Sequence, residues 1–188
     1  MLQMGRKYSK CRNIRNSPKR TRRYITMWTL KRVTSVNIEE YTFEVATEVI
    51  EEFTSKRQLT GNEDCGIILG SVINDKYYRI NYVSESCRVE GKSTTCGCER
   101  DANKANEIIS REYEASSHTR VYFGEWHTHP ENEPTPSFKD TSSINELVLS
   151  TDVDKSIDGL ILAIVGREGI YWGFHDGAQL HRIEPIII

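Results

Sequence analysis

The residues best suited to chemistry lie in one stretch, residues 124–140, which reads GEWHTHPENEPTPSFKD. It contains two histidines two positions apart, His127 and His129, and a serine, Ser137, followed three positions later by a carboxylate, Asp140. A catalytic zinc ion typically takes three ligands from the protein and leaves its fourth position to water. His127, His129 and Asp140 would supply two nitrogens and one oxygen, so this stretch predicts a zinc site with one open position.

Each part of the pattern also has an interpretation that needs no metal. A serine followed three residues later by an acid is the pattern of a capping box at a helix start. A His-x-His pair alone is more often a surface or core feature than a pair of ligands. The joint occurrence of both parts after a strand-like segment favours the metal site.

The spacing fits histidines at the end of a strand and an aspartate at the start of a helix. Residues 119–126 are rich in β-branched and aromatic types, which predicts a strand. Side chains two residues apart on a strand share a face, so the two histidines would point the same way. Pro130 then ends the strand pairing, and Pro134 and Pro136 stiffen the short loop that follows. Ser137 can cap a helix that runs to Ser150, with Asp140 in its first turn.

A second carboxylate is needed to complete the chemistry. A water molecule activated by zinc still requires a group that takes its proton and passes it to the leaving amine. Glu63 stands just before the apolar segment CGIILG and is the candidate for this general base. Glu125, beside the histidines, is the next candidate.

Together these residues resemble a known family, the JAMM (MPN-plus, JAB) metallopeptidases. The resemblance covers residues from about 36 to 188, nearly all of the chain outside its N-terminal end. The residues that carry it are Glu63 before CGIILG, His127-x-His129, then seven residues, and Ser137-x-x-Asp140.

The resemblance implies a role for each of these side chains. His127, His129 and Asp140 would hold one zinc ion, Glu63 would be the general base, and the Ser137 hydroxyl would stabilise the oxyanion formed on attack. In this family the bond cut is commonly the isopeptide bond between the C-terminal glycine of ubiquitin, or of a ubiquitin-like protein, and a lysine.

Flanking residues resemble a narrower group within the family. GEWHTHPE, Pro134-x-Pro136-Ser137 and Arg100-Asp101 are similar to bacterial JAMM proteins encoded beside E1- and E2-like enzymes in CBASS antiphage operons. This likeness implies an isopeptidase that removes a cyclic-oligonucleotide synthase, a CD-NTase, from proteins to which its C-terminus is joined. Segments 86–100 and 150–158 are short for the ubiquitin-gripping insertions of eukaryotic deubiquitinases, which argues against linkage-specific ubiquitin cleavage.

Other functions stay open at this stage. One is a JAMM peptidase that acts on a ubiquitin-like or sulfur-carrier protein. Another is a non-catalytic scaffold of MPN type, although such a scaffold would be expected to have lost ligands. A nucleic-acid-binding protein is the weakest alternative, because the acidic body of the chain lacks interleaved aromatic and basic residues.

Charge divides the chain into two parts. The 188 residues are 37% hydrophobic and 28% charged, which suits one well-filled core. Residues 1–23 hold nine of the 25 Lys and Arg and none of the 27 Asp and Glu. We expect residues 1–26 to be a basic, disordered extension and residues 27–188 to be the metallopeptidase domain. The extension could instead touch nucleic acid or an acidic partner, or be translated upstream sequence with initiation at Met27.

Hydropathy and cysteine usage set expectations about the environment. The sequence contains no run of eighteen or more apolar residues, so no membrane span is expected. The N-terminus has no secretory pattern, so we expect a cytoplasmic protein. Reduced thiols are the matching expectation for the five cysteines. Cys87, Cys96 and Cys98 lack the spacing of a structural zinc site, and Cys65 is expected to be a small packing residue.

The remaining segments predict the elements around the site. Their order predicts a single α/β domain with a largely antiparallel central sheet. The family resemblance implies a similar architecture, the MPN/JAB fold, in which a curved mixed sheet is flanked by helices. His118, His175 and His181 have no partner spacing and are expected at the surface or in turns. The further predicted elements are a helix at 37–56, a hairpin at 65–73 and 77–85, a loop at 86–100, a helix at 101–115, a hairpin at 160–165 and 170–174, and a strand-rich end at 180–188.

Overall fold

The computed structural model describes residues 37–150 and 157–188, which form one mixed sheet with helices on both faces. The strands are β1 (Thr42–Val45), β2 (Cys65–Asn74), β3 (Tyr77–Val83), β4 (Val121–Thr128), β5 (Leu160–Val165), β6 (Ile170–His175), β7 (Leu180–Arg182) and β8 (Ile186–Ile187). The helices are α1 (Thr47–Ser55), α2 (Ala102–Ala115) and α3 (Phe138–Ser150), with a 3-10 helix at Ile38–Glu40.

The strand order is β7-β6-β5-β4-β2-β3-β1-β8. Within the described residues, four of the seven neighbouring pairs are antiparallel, and β4–β5, β1–β3 and β1–β8 are parallel. The predicted α/β fold with a mixed sheet flanked by helices is therefore confirmed. The expected extension at 1–26, and most of the segment 150–158, lie outside the described residues. The domain boundary at 26–27 stays a prediction.

The two faces of the sheet are covered by different helices. On one face, Phe53 of α1 lies in a core cluster with Ile68 of β2 and Ile161 of β5. On the other face, α2 packs over β2, and Ile144 of α3 packs over Leu162 of β5. Because both faces of β5 are buried, its sequence is continuously apolar rather than alternating.

The predicted helix at 37–56 is wrong over its first half. Residues Thr42–Val45 form strand β1, which pairs with β3 and β8, and only Thr47–Ser55 is α-helical. Tyr41 and Val45 fit the helical spacing, whereas Phe43 and Val45 fit the alternation of a strand. The open edge of β3 decides between them, because it offers the segment a ladder of backbone hydrogen bonds.

The other predicted elements are confirmed with small shifts at their ends. The β2–β3 hairpin turns at Asn74-Asp75-Lys76, with Lys76 at φ 59°, and the β5–β6 hairpin turns at 166–169. Asp101 caps α2 by accepting hydrogen bonds from two backbone N–H groups of its first turn. Strand β4 runs two residues further than predicted and includes His127.

A β-bulge re-aims the end of β4. Ile68 pairs with Gly124 but the next residue, Leu69, pairs with Tyr122, so Phe123 is an extra residue on β4. Gly124 adopts φ 149°, and a Cβ there would lie 1.9 Å from the Ile161 carbonyl oxygen. Only glycine allows this close approach of β4 to β5.

Two further expectations about histidines need correction. His175 is not at the surface: it lies in β6 with 2% of its surface exposed, because the strand is covered on both sides. His181 is half-buried and hydrogen-bonds Asp176 at 2.8 Å, whereas His118 is exposed in a turn as predicted. Among the described residues, no helix is both long and apolar enough to cross a membrane.

Candidate active site

The predicted ligands converge at the end of β4 and the start of α3. His127 Nε2 lies 3.1 Å from His129 Nε2 and 3.2 Å from Asp140 Oδ1, and His129 Nε2 lies 3.5 Å from Asp140 Oδ2. Four ligands at the usual zinc bond lengths form a tetrahedron whose edges are about 3.3 Å. The three donor groups therefore fit a zinc ion in both type and spacing.

The electrostatics of these groups favour a charged carboxylate. Burial by itself raises the pKa of Asp140, but hydrogen bonds with His127 and His129 outweigh it and leave the pKa well below its usual range. Burial lowers the pKa of His129, but the hydrogen bond and negative charge of Asp140 outweigh this effect and raise it. The Asp140 carboxylate thus stabilises positive charge at the place where a metal cation would stand.

Helix α3 starts with the capping box that the sequence suggested. The Asp140 N–H donates to Ser137 Oγ at 3.2 Å, and the Ser137 N–H donates to Asp140 Oδ2 at 2.7 Å. The metal-free interpretation is therefore correct, and it does not exclude a metal site. Because the cap fixes the Asp140 rotamer, it also aims the carboxylate at the two histidines.

The strand that carries the histidines is fixed by a large buried side chain. Trp126 is fully buried and packs edge-on against Phe53 of α1, with 5.9 Å between ring centroids. Since neighbouring side chains on a strand point to opposite faces, this anchor turns His127 toward α3. The tryptophan of the GEWHTHP stretch thus has a structural role.

Glu63 lies where the sequence placed it, two residues before β2. Asp64 pairs with Thr128 through two contacts: its carbonyl accepts from the Thr128 N–H at 2.9 Å, and its N–H donates to Thr128 Oγ at 2.9 Å. This pairing brings Glu63 beside the end of β4. Glu63 is 5% exposed, and burial raises its pKa, against an opposing effect of His127 and His129. A carboxylate whose pKa is shifted toward neutrality suits a general base.

The proline-stiffened loop between the histidines and α3 rests on the β5–β6 turn. The Arg167 N–H donates to the Glu131 carbonyl at 2.8 Å, and the Gly169 N–H donates to the Asn132 carbonyl at 3.0 Å. A Cβ at Gly166 would lie 2.5 Å from Pro134 Cδ and under 3 Å from two carbonyl oxygens of the loop. This support was not predicted, because the two segments are more than thirty residues apart along the chain.

One cavity of about 530 Å³ contains Glu63, His127, His129, Ser137 and Asp140. The structure thus brings together all five residues that the sequence singled out. Residues 96–100, the end of β4 and helix α3 all line this cavity, which is called the groove. An extended peptide chain could lie in it with a carbonyl group near the histidines.

Two charged residues of the groove were missed as site residues. Arg100 forms an ion pair with Glu125 on β4, and Lys139 of α3 lines the groove with the end of its side chain beside Gly97. Glu125 was the second candidate for the general base. Burial raises its pKa, but Arg100 opposes that effect and already occupies the carboxylate. Local sequence could not reveal the pair, because its partners are 25 residues apart on different elements.

The cysteines depart from the expectation of reduced thiols. Cys65 and Cys98 form a disulfide with 6.1 Å between their Cα atoms, whereas Cys87 is free and buried and Cys96 is free and exposed. Cys65 is therefore not merely a small packing residue. It opens β2 opposite His127, and Cys98 lies in the groove wall, so the fold brings the two together across 33 residues.

Comparison with known proteins agrees with this geometry. The family model described as prokaryotic homologs of the JAB domain matches residues 47–175. A protein of Escherichia coli (strain TW11681) named CD-NTase/cGAS isopeptidase is 31% identical over 131 residues, which cover 69% of this chain and 79% of that protein. A protein of the same name from Vibrio cholerae serotype O1 (strain ATCC 39315 / El Tor Inaba N16961) is 33% identical over 78 residues, 42% of this chain and 46% of that protein.

A solved structure has a similar fold. Protein DSY2949 from Desulfitobacterium hafniense, determined in solution, superposes with a TM-score of 0.54 at 16% sequence identity. The alignment covers 78% of this chain and 93% of that protein. At this identity the likeness concerns the fold alone.

Proposed function

Since the chain belongs to the prokaryotic JAB-domain family, we propose that it is a zinc-dependent isopeptidase that removes a CD-NTase from proteins to which the CD-NTase C-terminus is joined. The observation that carries the proposal is the convergence of His127, His129 and Asp140 with Glu63 and Ser137 in one groove. The names of the two curated relatives support the choice of substrate.

The proposed metal would be held by His127, His129 and Asp140. Zinc, when bound, supplies a Lewis acid that polarises the scissile carbonyl and makes a water molecule acidic enough to react at neutral pH. The two imidazoles would bind it in their neutral form, so zinc binding would compete with protonation of His129, whose pKa the Asp140 carboxylate raises.

The chain's own groups would move the protons. Glu63 accepts a proton from the attacking water and returns it to the departing lysine amine, which yields a free carboxylate and a free amine. Ser137 Oγ accepts the Asp140 N–H, so the hydroxyl hydrogen remains free to be donated to the oxyanion. Glu125 stays paired with Arg100 and takes no part in proton transfer.

The groove suits an extended C-terminal tail. It is lined by residues 96–100 and by α3, so a tail can lie in it with its last carbonyl near the histidines. Main-chain contacts of this kind recognise an extended conformation and tolerate several side chains. We propose E1- and E2-like enzymes as the source of the conjugates, since a conjugating activity must produce the bond that this enzyme cuts.

A panel of fusions tests the proposal. The same reporter is joined to the C-terminus of a CD-NTase, of ubiquitin and of a sulfur-carrier protein, and cleavage by the zinc-loaded chain is read by intact mass. We expect cleavage of the CD-NTase fusion immediately after the last residue of the CD-NTase, which releases the reporter. Cleavage of the ubiquitin fusion alone would refute the proposed substrate but not the proposed peptidase activity. Cleavage of none of the three fusions would refute the activity.

Metal content tests the ligands separately. We expect about one zinc ion per native chain, lost on chelation, and much less in His127→Ala and Asp140→Ala. Glu63→Gln is the matched control, because its side chain lies in the same groove but is not a proposed ligand. Equal zinc content in the native chain and in both ligand variants would show that the assignment of His127 and Asp140 as ligands is wrong.

A further inference from the structure

Glu63 lies outside every helix and strand, so its position depends on neighbouring loops. Its N–H donates to the Thr94 carbonyl at 2.8 Å, and its carbonyl accepts a hydrogen bond from Ser93 Oγ. Both backbone groups of the proposed general base are thus bound by two consecutive residues of one loop. We call the loop segment 93–98 the clamp.

The clamp is joined covalently to the strand that follows Glu63. Its own turn is closed by the Thr94 N–H, which donates to the Gly97 carbonyl at 2.8 Å. Its last residue, Cys98, is linked by the disulfide to Cys65, only two positions after Glu63. A closed ring therefore runs from Glu63 through the disulfide and the clamp and back to Glu63 by hydrogen bonds.

Little else fixes the clamp to the protein. None of its six residues is buried. Its further hydrogen bonds to the rest of the described chain are two: Asn62 Nδ2 donates to the Ser93 carbonyl at 2.8 Å, and Gln58 Nε2 to the Thr95 carbonyl at 3.4 Å. The end of the Lys139 side chain lies beside Gly97. A segment with few buried contacts opens locally at low cost. The disulfide is then the strongest restraint on its position.

We propose that Ser93 and the Cys65–Cys98 disulfide are positioning elements for Glu63, so that the rate of the peptidase depends on the thiol–disulfide state of this pair. The inference rests on the proposed function of Glu63. Reduction by a dithiol transfers two electrons and two protons: the Cys65–Cys98 bond breaks into two thiols, and the dithiol closes into its own disulfide. The released clamp then holds the Glu63 backbone less firmly.

The expected effect is a partial loss of the general base. Complete removal of a positioned acid or base costs about 10² to 10⁴ in rate. A base that is still present but poorly held should lose less, and we expect kcat to fall roughly tenfold. Zinc content should not change, because neither cysteine is a proposed ligand.

The experiment compares two pairs of variants of the zinc-loaded chain, and its substrate is the fusion that the native chain cleaves. Cys98→Ser removes the disulfide and Cys96→Ser removes only a free thiol, and intact mass reports which variant retains the bond. Ser93→Ala removes the hydroxyl and Ser93→Thr keeps it. Each variant is measured for kcat, KM, zinc content and hydrogen exchange of the Glu63 amide, which the Thr94 carbonyl protects.

We expect Cys98→Ser and Ser93→Ala to lower kcat and to speed Glu63 amide exchange at native zinc content, with KM for Ser93→Ala within about twofold of native. Ser93→Thr should restore both values, and Cys96→Ser should retain the disulfide and the protected amide. The native chain treated with dithiothreitol, then desalted and reloaded with zinc, gives the same comparison if Cys98→Ser fails to fold.

Two outcomes separate the inference from the function on which it rests. If the native chain cleaves the fusion, and Cys98→Ser and Ser93→Ala match it in kcat and in Glu63 amide exchange, the positioning role is wrong. If the native chain cleaves no fusion, the proposed function fails. Glu63 amide exchange then still decides whether the disulfide holds this residue.

Discussion

Replacing Gly166 by alanine should displace the loop that separates the histidines from α3. The new Cβ would stand 2.5 Å from Pro134 Cδ, 2.7 Å from the Asn132 carbonyl oxygen and 2.8 Å from the Glu131 carbonyl oxygen. Ordinary contacts between such atoms are about 3.5 to 4.0 Å, so the loop must move by about 1 Å. Neither the proline ring nor the backbone can turn aside as a flexible side chain would.

The expected losses follow from that displacement. Overpacking of this kind typically costs about 1–3 kcal/mol of unfolding free energy, which for a chain of this size lowers the melting temperature by about 2–4 °C per kcal/mol. A misplacement of about 1 Å at a catalytic site can cost on the order of 10² in rate. We therefore expect Gly166→Ala to be less stable and to lose about 10- to 100-fold in kcat/KM.

The same turn offers a matched control. The three atoms nearest to a Cβ at Gly169 all belong to the carboxylate end of Glu133, the nearest at 2.2 Å, and that flexible side chain can swing away. Thermal unfolding, kcat/KM and zinc content are measured for Gly169→Ala beside Gly166→Ala. If the two variants match in all three, the β5–β6 turn does not position the loop and the reasoning is wrong.

Three further predictions concern the groups of the site. Glu63→Gln should bind zinc and fold like the native chain but lose about 10² to 10⁴ in kcat; an active variant would move the general base elsewhere. Ser137→Ala should lose about 10²–10³ in kcat as an oxyanion donor and about 1 kcal/mol as a helix cap, whereas Ser137→Thr should recover most of both; unchanged kcat in the alanine variant would exclude the oxyanion role. Without metal, the raised pKa of His129 and the lowered pKa of Asp140 stabilise the fold between about pH 4 and 6.5, and the His129 contribution is lost as the pH rises through that raised pKa. Zinc competes with protonation of His129, so the increase in melting temperature on adding zinc should be larger at pH 8 than at pH 6. An increase that does not depend on pH would contradict this coupling.

The sequence was enough to predict the candidate ligands because they lie close together along the chain. His127 and His129 share a strand face by the two-residue period, and Ser137 with Asp140 forms a capping box within one helical turn. These are local rules, so residue type and spacing are enough to predict them. The position of Glu63 was predicted from its apolar neighbours and the family resemblance, not from any contact with the histidines.

Tertiary structure alone decided how these groups are held. The β2–β4 pairing brings Glu63 beside His127, the β5–β6 turn supports the proline loop, and the disulfide links two cysteines 33 residues apart. The strand at Thr42–Val45 arose in the same way, since a segment that fits both periods was decided by the free edge of β3. Each of these contacts depends on which distant segment comes to lie alongside, and local propensity and periodicity carry no information about that.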